Sequence, residues 1–346
     1  MRTRLEVTKS SDSFEGALEH FCLRHDSAPP PPLEAHQVEV EVKACCINYP
    51  DLMQTTNSYQ HKQRFPYTPG LELSGVVVRT GSNCALQVGT RVMAMNSQGG
   101  LSSHLVLDEN QCFKMPEQLT FAQGAAFCIG YQTAYHCLVE RAQLQTDDVV
   151  LVNGATGGMG LAAAQLAKQV FGCTVIATGG SDEKLEVVAR ASGADHVINY
   201  STDKDFSKTV KDVTGGKGVT VVFDSVGGHV FDQGLRSTAF GARVLVVGFT
   251  SGERPKIPAN YVLIKCLTVL GCRAGEVVVR AKDGENLIQA PRWARLLHFA
   301  SKGWLQPHVC AELPFTEAGV RQAYTSLMDR KVVGRVCVVM ERQSNL

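Results

Sequence analysis

The run Val149-Val150-Leu151-Val152-Asn153-Gly154-Ala155-Thr156-Gly157-Gly158-Met159-Gly160 is followed at once by LAAAQLAKQ, so an apolar stretch passes through a glycine loop into helical spacing. Three glycines alone can be a plain turn. Set between a strand and a helix, they allow close backbone approach, and the helix start offers N–H groups and a positive dipole end to a pyrophosphate. The expected chemistry is dinucleotide binding, with Ala155, Thr156, Gly157, Gly158, Met159 and Gly160 as the cradle. An NAD site usually places Asp or Glu ~20 residues beyond the loop to accept the ribose 2′-hydroxyl. Here that stretch ends in Ala177-Thr178-Gly179-Gly180, without a carboxylate. Asp182 and Glu183 come after Ser181 and read as first-turn helix residues favoured by the dipole. Lys184 and Tyr200, with Ser181 as a donor, instead suit a 2′-phosphate, and the competing reading is that Lys184 is simply solvated.

Other polar residues admit two readings each. Asn48 either belongs to a site or bonds backbone at a strand end; Tyr59 and His61 either belong to a site or lie on a surface loop. Asp224 ends an apolar run where a parallel sheet binds ligands, yet capping toward Gly227 explains it equally well.

The elements that position these residues fall into three stretches. From Val38 to about Phe113, short alternating runs broken by turn residues predict antiparallel strands. From Asp148 to about Cys272, the runs VVLVNG, TVIATG, HVINY, VTVVFD, ARVLVVG and LTVLG alternate with helical segments at 161–171, 181–192, 206–213 and 230–238. Gly172 and Gly193 sit where helix C-caps belong. Six strands with right-handed crossovers predict a doubly wound parallel sheet. After Arg273, a helix near 291–302, a strand near 308–313, a helix over 317–328 and a last strand GRVCVVM form a tail too small for its own core. It is expected to return to the first domain. The predicted boundaries are therefore 1–128 plus 273–346 for one domain and 129–272 for the other.

Composition narrows the function. The chain of 346 residues carries 34 Lys and Arg against 33 Asp and Glu, which argues against broad nucleic-acid or anionic-membrane binding. Its longest apolar runs are strand-sized and far short of the ~20 residues a bilayer requires. The opening residues show neither a secretory nor a transit pattern, so the cytoplasm is the expected compartment. The final Ser344-Asn345-Leu346 is close to the S-K-L peroxisomal address, with Asn in place of Lys. Twelve cysteines fall without any CxxC pair and read mainly as buried thiols.

Taken in order, several stretches carry a resemblance: Asn48-Tyr49-Pro50-Asp51, Phe65 to Glu72, Gly130-Tyr131-Gln132-Thr133-Ala134-Tyr135, the loop Ala155 to Gly160, Ser181 to Lys184, Val197 to Tyr200, Val247-Gly248-Phe249 and Asn260 to Lys265. Over nearly its whole length the chain resembles a zinc-free medium-chain dehydrogenase/reductase of the quinone oxidoreductase (zeta-crystallin-like) branch. The resemblance implies an α/β fold: a GroES-like β domain from both chain ends plus a doubly wound parallel Rossmann domain that binds NADPH. It implies cofactor contacts at Asn48, Thr133, Gly179, Ser181, Lys184, Tyr200, Gly248, Phe249 and Arg330 besides the glycine loop. It places Asn48 and a nearby tyrosine at the reacting atoms; Tyr59 matches one such position, whereas another holds Met53.

In the zinc-dependent branch, a Cys precedes the matching Asp by three residues and a His precedes the matching Glu. Those positions hold Asn48 and Leu71, and the third falls near Ile129 with Cys128 one residue off. Such a set cannot supply the three or four ligands zinc requires, so no metal is expected. Reduction then needs only a hydride donor, an electron-poor acceptor and donors for the charge developing on oxygen, which fits a quinone or enone. Met53, Phe65 and Phe249 suit a flat apolar substrate or are ordinary core. The alternatives are an enoyl-thioester or alkenal reductase, or a non-catalytic NADPH-binding structural or RNA-binding relative. Both the resemblance and the apolar run Leu267-Thr268-Val269-Leu270-Gly271 at a sheet edge imply a homodimer.

Overall fold

Charged and apolar residues alternate in β1 (Arg2–Val7), which pairs antiparallel with β2 (Phe21–Asp26) and turns Leu5, Val7 and Phe21 into the core. This hairpin has no counterpart in the sequence expectations. The computed structural model describes residues 1–275 and 289–340, which form two units: Met1–Ile129 with the chain from Gln306 onward, and Gly130–Leu305.

In the first unit, β3 (Gln37–Cys46) is the central strand because its valines 38, 40 and 42 all face inward. It is followed by β4 (Glu72–Thr80), β5 (Arg91–Met95), β6 (His104–Asp108) and β7 (Cys112–Lys114), antiparallel as the alternation predicted. In the second unit, β8 (Val149–Asn153), β9 (Thr174–Gly179), β10 (His196–Asn199), β11 (Val219–Asp224), β12 (Thr238–Val246) and β13 (Thr268–Gly271) are all parallel. Their order, β10-β9-β8-β11-β12-β13, reverses at β8, so β8 and β11 flank the switch point of a doubly wound sheet. Leu151, Ile176, Phe206, Val222, Phe231 and Val244 fill its core. The helices close as their caps dictate: Ser181 accepts the Lys184 N–H at the start of Asp182–Ser192, and Gly193 ends that helix in the left-handed region at φ 74°.

The chain then returns to the first unit through β14 (Val309–Pro314) and β15 (Arg335–Val339), completing a sheet of order β14-β15-β3-β4-β5-β7. Strand β6 pairs with the first half of β3, and β15 with its last residues. The return point corrects the expected boundary at residue 273. Helix Gln289–Ser301 belongs to the second unit, where Arg292 is buried and held by Glu140 at 2.7 and 2.8 Å, and Arg295 donates to the Tyr135 hydroxyl at 3.0 Å. A buried guanidinium needs its carboxylate, and that pairing decides where the helix belongs.

No helix among the described residues is long and apolar enough to cross a membrane. The C-terminal Ser344-Asn345-Leu346 lies outside the described residues.

The tightest approach of backbone to backbone beside the glycine loop is at Gly160, where a Cβ would stand 2.3 Å from the Gly154 carbonyl oxygen. Neither side of that contact is a flexible side chain, so a methyl must push the loop from the helix. Gly160→Ala is expected to destabilise the second unit by about 1–3 kcal/mol, read as a lower urea midpoint. An unchanged midpoint would contradict this packing.

Candidate active site

Three strand ends build the polar centre of the first unit. Register sets Cys46, the last residue of β3, opposite Glu72 on β4 and Cys337 on β15. Asn48 follows β3, Glu72 opens β4 and Arg335 opens β15, so the pairing alone gathers these three residues. The Asn48 Nδ2 donates to Glu72 Oε1 at 3.0 Å and to the Cys46 carbonyl at 3.3 Å, while its Oδ1 accepts from Arg335 Nη1. Ile129 N–H donates to Glu72 Oε2 at 2.8 Å, and Arg335 Nη1 lies 3.7 Å from Glu72 Oε1. Asn48 is 3% exposed and its amide oxygen and nitrogen are both engaged. The residue expected at the reacting atoms therefore locks a buried acid and a buried base in place. Burial raises the Glu72 carboxyl above its usual range, with the Arg335 charge and the donors from Ile129 and Asn48 opposing.

Asp51 extends this centre. It sits in the first turn of helix Tyr49–Thr55, where its Oδ2 accepts the Asn48 N–H at 2.9 Å and its Oδ1 the Gly70 N–H at 3.0 Å. One carboxylate thus ties the helix start to the turn that leads into Glu72. Burial pushes its carboxyl from 3.8 up to about 7 against the pull of both backbone donors. Tyr59 lies half-buried beyond that helix with its ring 6.0 Å from that of His61, and Met53 and Phe65 are half-buried nearby in sequence.

Zinc does not fit here. The positions that would ligate it hold Asn48 and Leu71, a guanidinium already faces Glu72, and no group of three His, Cys, Asp or Glu side chains suited to a metal occurs among the described residues.

The second unit assembles its own site at the carboxyl ends of β8, β9 and β11. Asn153 Nδ2 donates to Asp224 Oδ2 at 2.7 Å and to the Val230 carbonyl at 3.3 Å, Thr178 Oγ1 donates to Asn153 Oδ1 at 2.9 Å, and Ser225 Oγ donates to the Asn153 carbonyl at 3.2 Å. Asp224 Oδ1 accepts from the N–H groups of Val226 and Gly227, so the capping role accounts for it. Above this buried knot the loop Gly154–Gly160 leads into helix Gly158–Gln165, whose first-turn N–H groups have no intrahelical acceptor. A Cβ on Gly157 would meet only the Gly154 oxygen at 3.7 Å, which leaves that face open to a phosphate.

The expected 2′-phosphate residues cluster in part. A Cβ on Gly179 would stand 2.6 Å from Thr156 Cγ2, and one on Gly180 would stand 3.2 Å from the Tyr200 ring. Thr156, Gly179, Ser181 and Tyr200 are thus brought together, with half-buried Lys184 one helical turn on. Arg330 is exposed in the other unit at φ 54°. Thr133 is half-buried on helix Cys128–Tyr135, Gly248 follows β12, and Phe249 is 43% exposed. The residues that sequence reasoning left without a role are Glu72, Asp51 and Arg335. Their signal was a charge standing inside apolar strand text, as in Leu71-Glu72-Leu73.

Residues 34–135 match the alcohol dehydrogenase GroES-like domain, and residues 158–290 match the zinc-binding dehydrogenase family. Quinone oxidoreductase-like protein 2 of Bos taurus is 32% identical over 317 residues, spanning 91% of this chain and 88% of that one. Human quinone oxidoreductase is 30% identical over 332 residues, spanning 95% and 96%. A mycobacterial protein solved in complex with NADPH has a TM-score of 0.81 at 25% identity, covering 98% of this chain and 100% of that one.

Asp51 makes stability depend on pH. The folded chain keeps a proton that the unfolded chain has released, so the contribution is fully present below about pH 4 and is lost as pH rises through about 7. Asp51→Asn is expected to lower stability by about 1–3 kcal/mol, since its amide would meet a backbone donor, and to flatten the pH dependence in that window. Urea midpoints measured from pH 4 to 8 check it; an unaltered slope would assign the proton elsewhere.

Proposed function

Because the chain belongs to the quinone oxidoreductase family of medium-chain dehydrogenases/reductases, we propose that it is an NADPH-dependent, zinc-independent reductase acting on quinones or related enones. The observation that carries the cofactor choice is the end of β9. Gly179 and Gly180 stand where an NAD site has its carboxylate, with Tyr200 against Gly180 and Ser181 and Lys184 beside them. A carboxylate would repel a 2′-phosphate; this surface offers a phenol, a hydroxyl and an ammonium. The loop residues Ala155, Thr156, Gly157, Gly158, Met159 and Gly160 would hold the pyrophosphate.

When bound, NADPH supplies the hydride. The chain's own residues bind, orient and hold protons. Asn48, pinned by Glu72 and Arg335, keeps a fixed polar surface rather than a free donor. Tyr59 is the phenol assigned to the acceptor oxygen. Zinc independence rests on the donor set, since Asn48, Leu71 and the Arg335 guanidinium cannot hold a divalent cation. Thr133, Gly248 and Phe249 are assigned to the nicotinamide half of the cofactor from the family pattern.

A homodimer is part of this reading. Strand β13 is a sheet edge, and Leu263 and Ile264 on the preceding helix Ala259–Lys265 are 78% and 71% exposed. Among the described residues this edge is unpaired, and beside exposed aliphatic side chains it invites its twin. The cytoplasm remains the compartment assigned.

Two measurements test the proposal. Lys184→Ala is expected to raise the KM for NADPH by about ten-fold or more, as loss of a charge-assisted contact of about 1.5–3 kcal/mol implies, and to leave NADH unchanged. Equal constants for both cofactors in the unaltered protein would overturn NADPH preference. Turnover is expected with quinones in the presence of a chelator; reduction of enoyl-CoA or alkenals alone would reassign the substrate. Light scattering is expected to give a dimer mass, and Leu270→Asp a monomer.

A further inference from the structure

Outside both sites, the first unit holds a hollow of about 200 Å³ against the hairpin β1–β2, half open to solvent. Leu5 and Val7 of β1 turn into the core, so Arg2 and Arg4 stand together on the opposite face of that strand. The segment 101–103 is zipped onto β1. Leu5 N–H donates to the Leu101 carbonyl at 2.8 Å, Ser103 N–H to the Thr3 carbonyl at 2.7 Å, and Thr3 N–H to Ser103 Oγ at 2.9 Å. Thr68, Gly99 and Leu105 also line the hollow, and the Gly99 N–H fixes two of them by donating to the Thr68 carbonyl at 2.7 Å. Gly99 holds φ 101°, and a Cβ there would stand 2.8 Å from Leu105 Cδ1, so a larger residue would be driven against the lining itself.

The charges around this hollow do not balance. Register sets Arg4 directly opposite Arg24, and like charges facing each other across a hairpin repel. Glu6 answers both at length, 3.6 Å from Arg4 Nη2 and 3.4 Å from Arg24 Nε, while Asp26 Oδ2 lies 3.9 Å from Arg4 Nη1. Neither contact of Arg4 is short enough for a hydrogen bond. Asp26 spends its other oxygen on the Ala28 N–H at 2.8 Å. Arg2 and Arg79 share the single carboxylate of buried Glu39. In this network four guanidinium groups meet three carboxylates, which leaves one positive charge unmatched beside the hollow.

We propose that this hollow binds a small oxyanion, a carboxylate or phosphate head group, held by the Arg4 guanidinium with Arg2 and the Thr68 hydroxyl beside it. A planar fork of N–H donors matches two oxygens of such a group, and the Arg4 fork makes no hydrogen bond within the protein. The bound anion supplies the charge that the network lacks and relieves the repulsion between Arg4 and Arg24. Asp26 also lines the hollow and sets the limit. Its carboxylate repels a second anionic group, so the lining takes one head group rather than a polyanion. Leu105 gives a short carbon chain an apolar surface to lie on. The inference does not depend on the reductase reading.

The full-length protein, titrated calorimetrically in low-salt buffer with sodium acetate and separately with inorganic phosphate, is expected to bind at least one of them saturably. Arg4→Gln is expected to weaken that binding about ten-fold or more, as loss of a charge-assisted contact implies. Acetate binding that Arg4→Gln removes assigns a carboxylate ligand; phosphate binding that it removes assigns a phosphate ligand. Thr68→Val leaves every ion pair of the hairpin in place and is expected to weaken the same titration about three-fold, which keeps the test intact should Arg4→Gln unfold by circular dichroism. The proposal is overturned if neither anion binds saturably, if all saturable binding survives Arg4→Gln, or if sodium chloride at equal ionic strength gives the same heats.

Discussion

A carboxylate taken wholly out of water must be met by donors or a cation, and the first unit is arranged around meeting Glu72. Its partners come from three places in the chain: Asn48 after β3, Ile129 at the start of a helix, and Arg335 at the head of the returning strand. Only one register satisfies all of them. A slip of one residue between β3 and β4 would turn Glu72 to the other face and leave the Asn48 amide and the guanidinium unpaired. The β sheet is thus specified by a polar requirement as well as by its valines. Buried polar groups often cost stability while fixing uniqueness, and this cluster fits that pattern.

The parallel sheet solves a similar problem differently. Strand ends at a switch point expose backbone groups just where a ligand must sit. Asn153, Thr178, Asp224 and Ser225 tie β8, β9 and β11 together from beneath, and the loop above them is held by its own backbone, Ala155 N–H to the Thr178 carbonyl at 2.9 Å and Gly157 N–H to the Gly154 carbonyl at 3.2 Å. That leaves the glycines free to be small. Gly160 lets the helix close on the loop, and Gly179 leaves room for Thr156. A larger residue would meet the loop backbone at Gly160, and Thr156 and Leu185 at Gly179.

Much of this architecture is written in the sequence because period and burial coincide. The six parallel strands are near-continuous apolar runs, and helix Glu317–Met328 and the cap pair Ser181 and Gly193 appear where they were expected. What was not legible shares one cause: partners far apart in the chain. The hairpin β1–β2 hides in mixed charge because Arg2 and Arg4 answer Glu39 and Asp26 rather than marking a loop. Helix Gln289–Ser301 reads as part of the tail until Arg292 is seen to need Glu140, 152 residues away. Strand β12 begins at Thr238, where the spacing still looked helical, because its pairing with β11 overrides local preference.

The same distance problem governs the reading of Asn48. On type and position it is a candidate donor to a reacting oxygen, and its neighbours in sequence do nothing to contradict that. Its partners in space show how it is held. With the amide oxygen taken by Arg335 and the amide nitrogen shared between Glu72 and Cys46, its hydrogen-bonding capacity is largely spent on structure. That leaves the amide little capacity for a further partner, whereas Tyr59 is half-buried with its ring 6.0 Å from that of His61. The buried cluster at the end of β3 thus holds the strand ends to the start of helix Tyr49–Thr55.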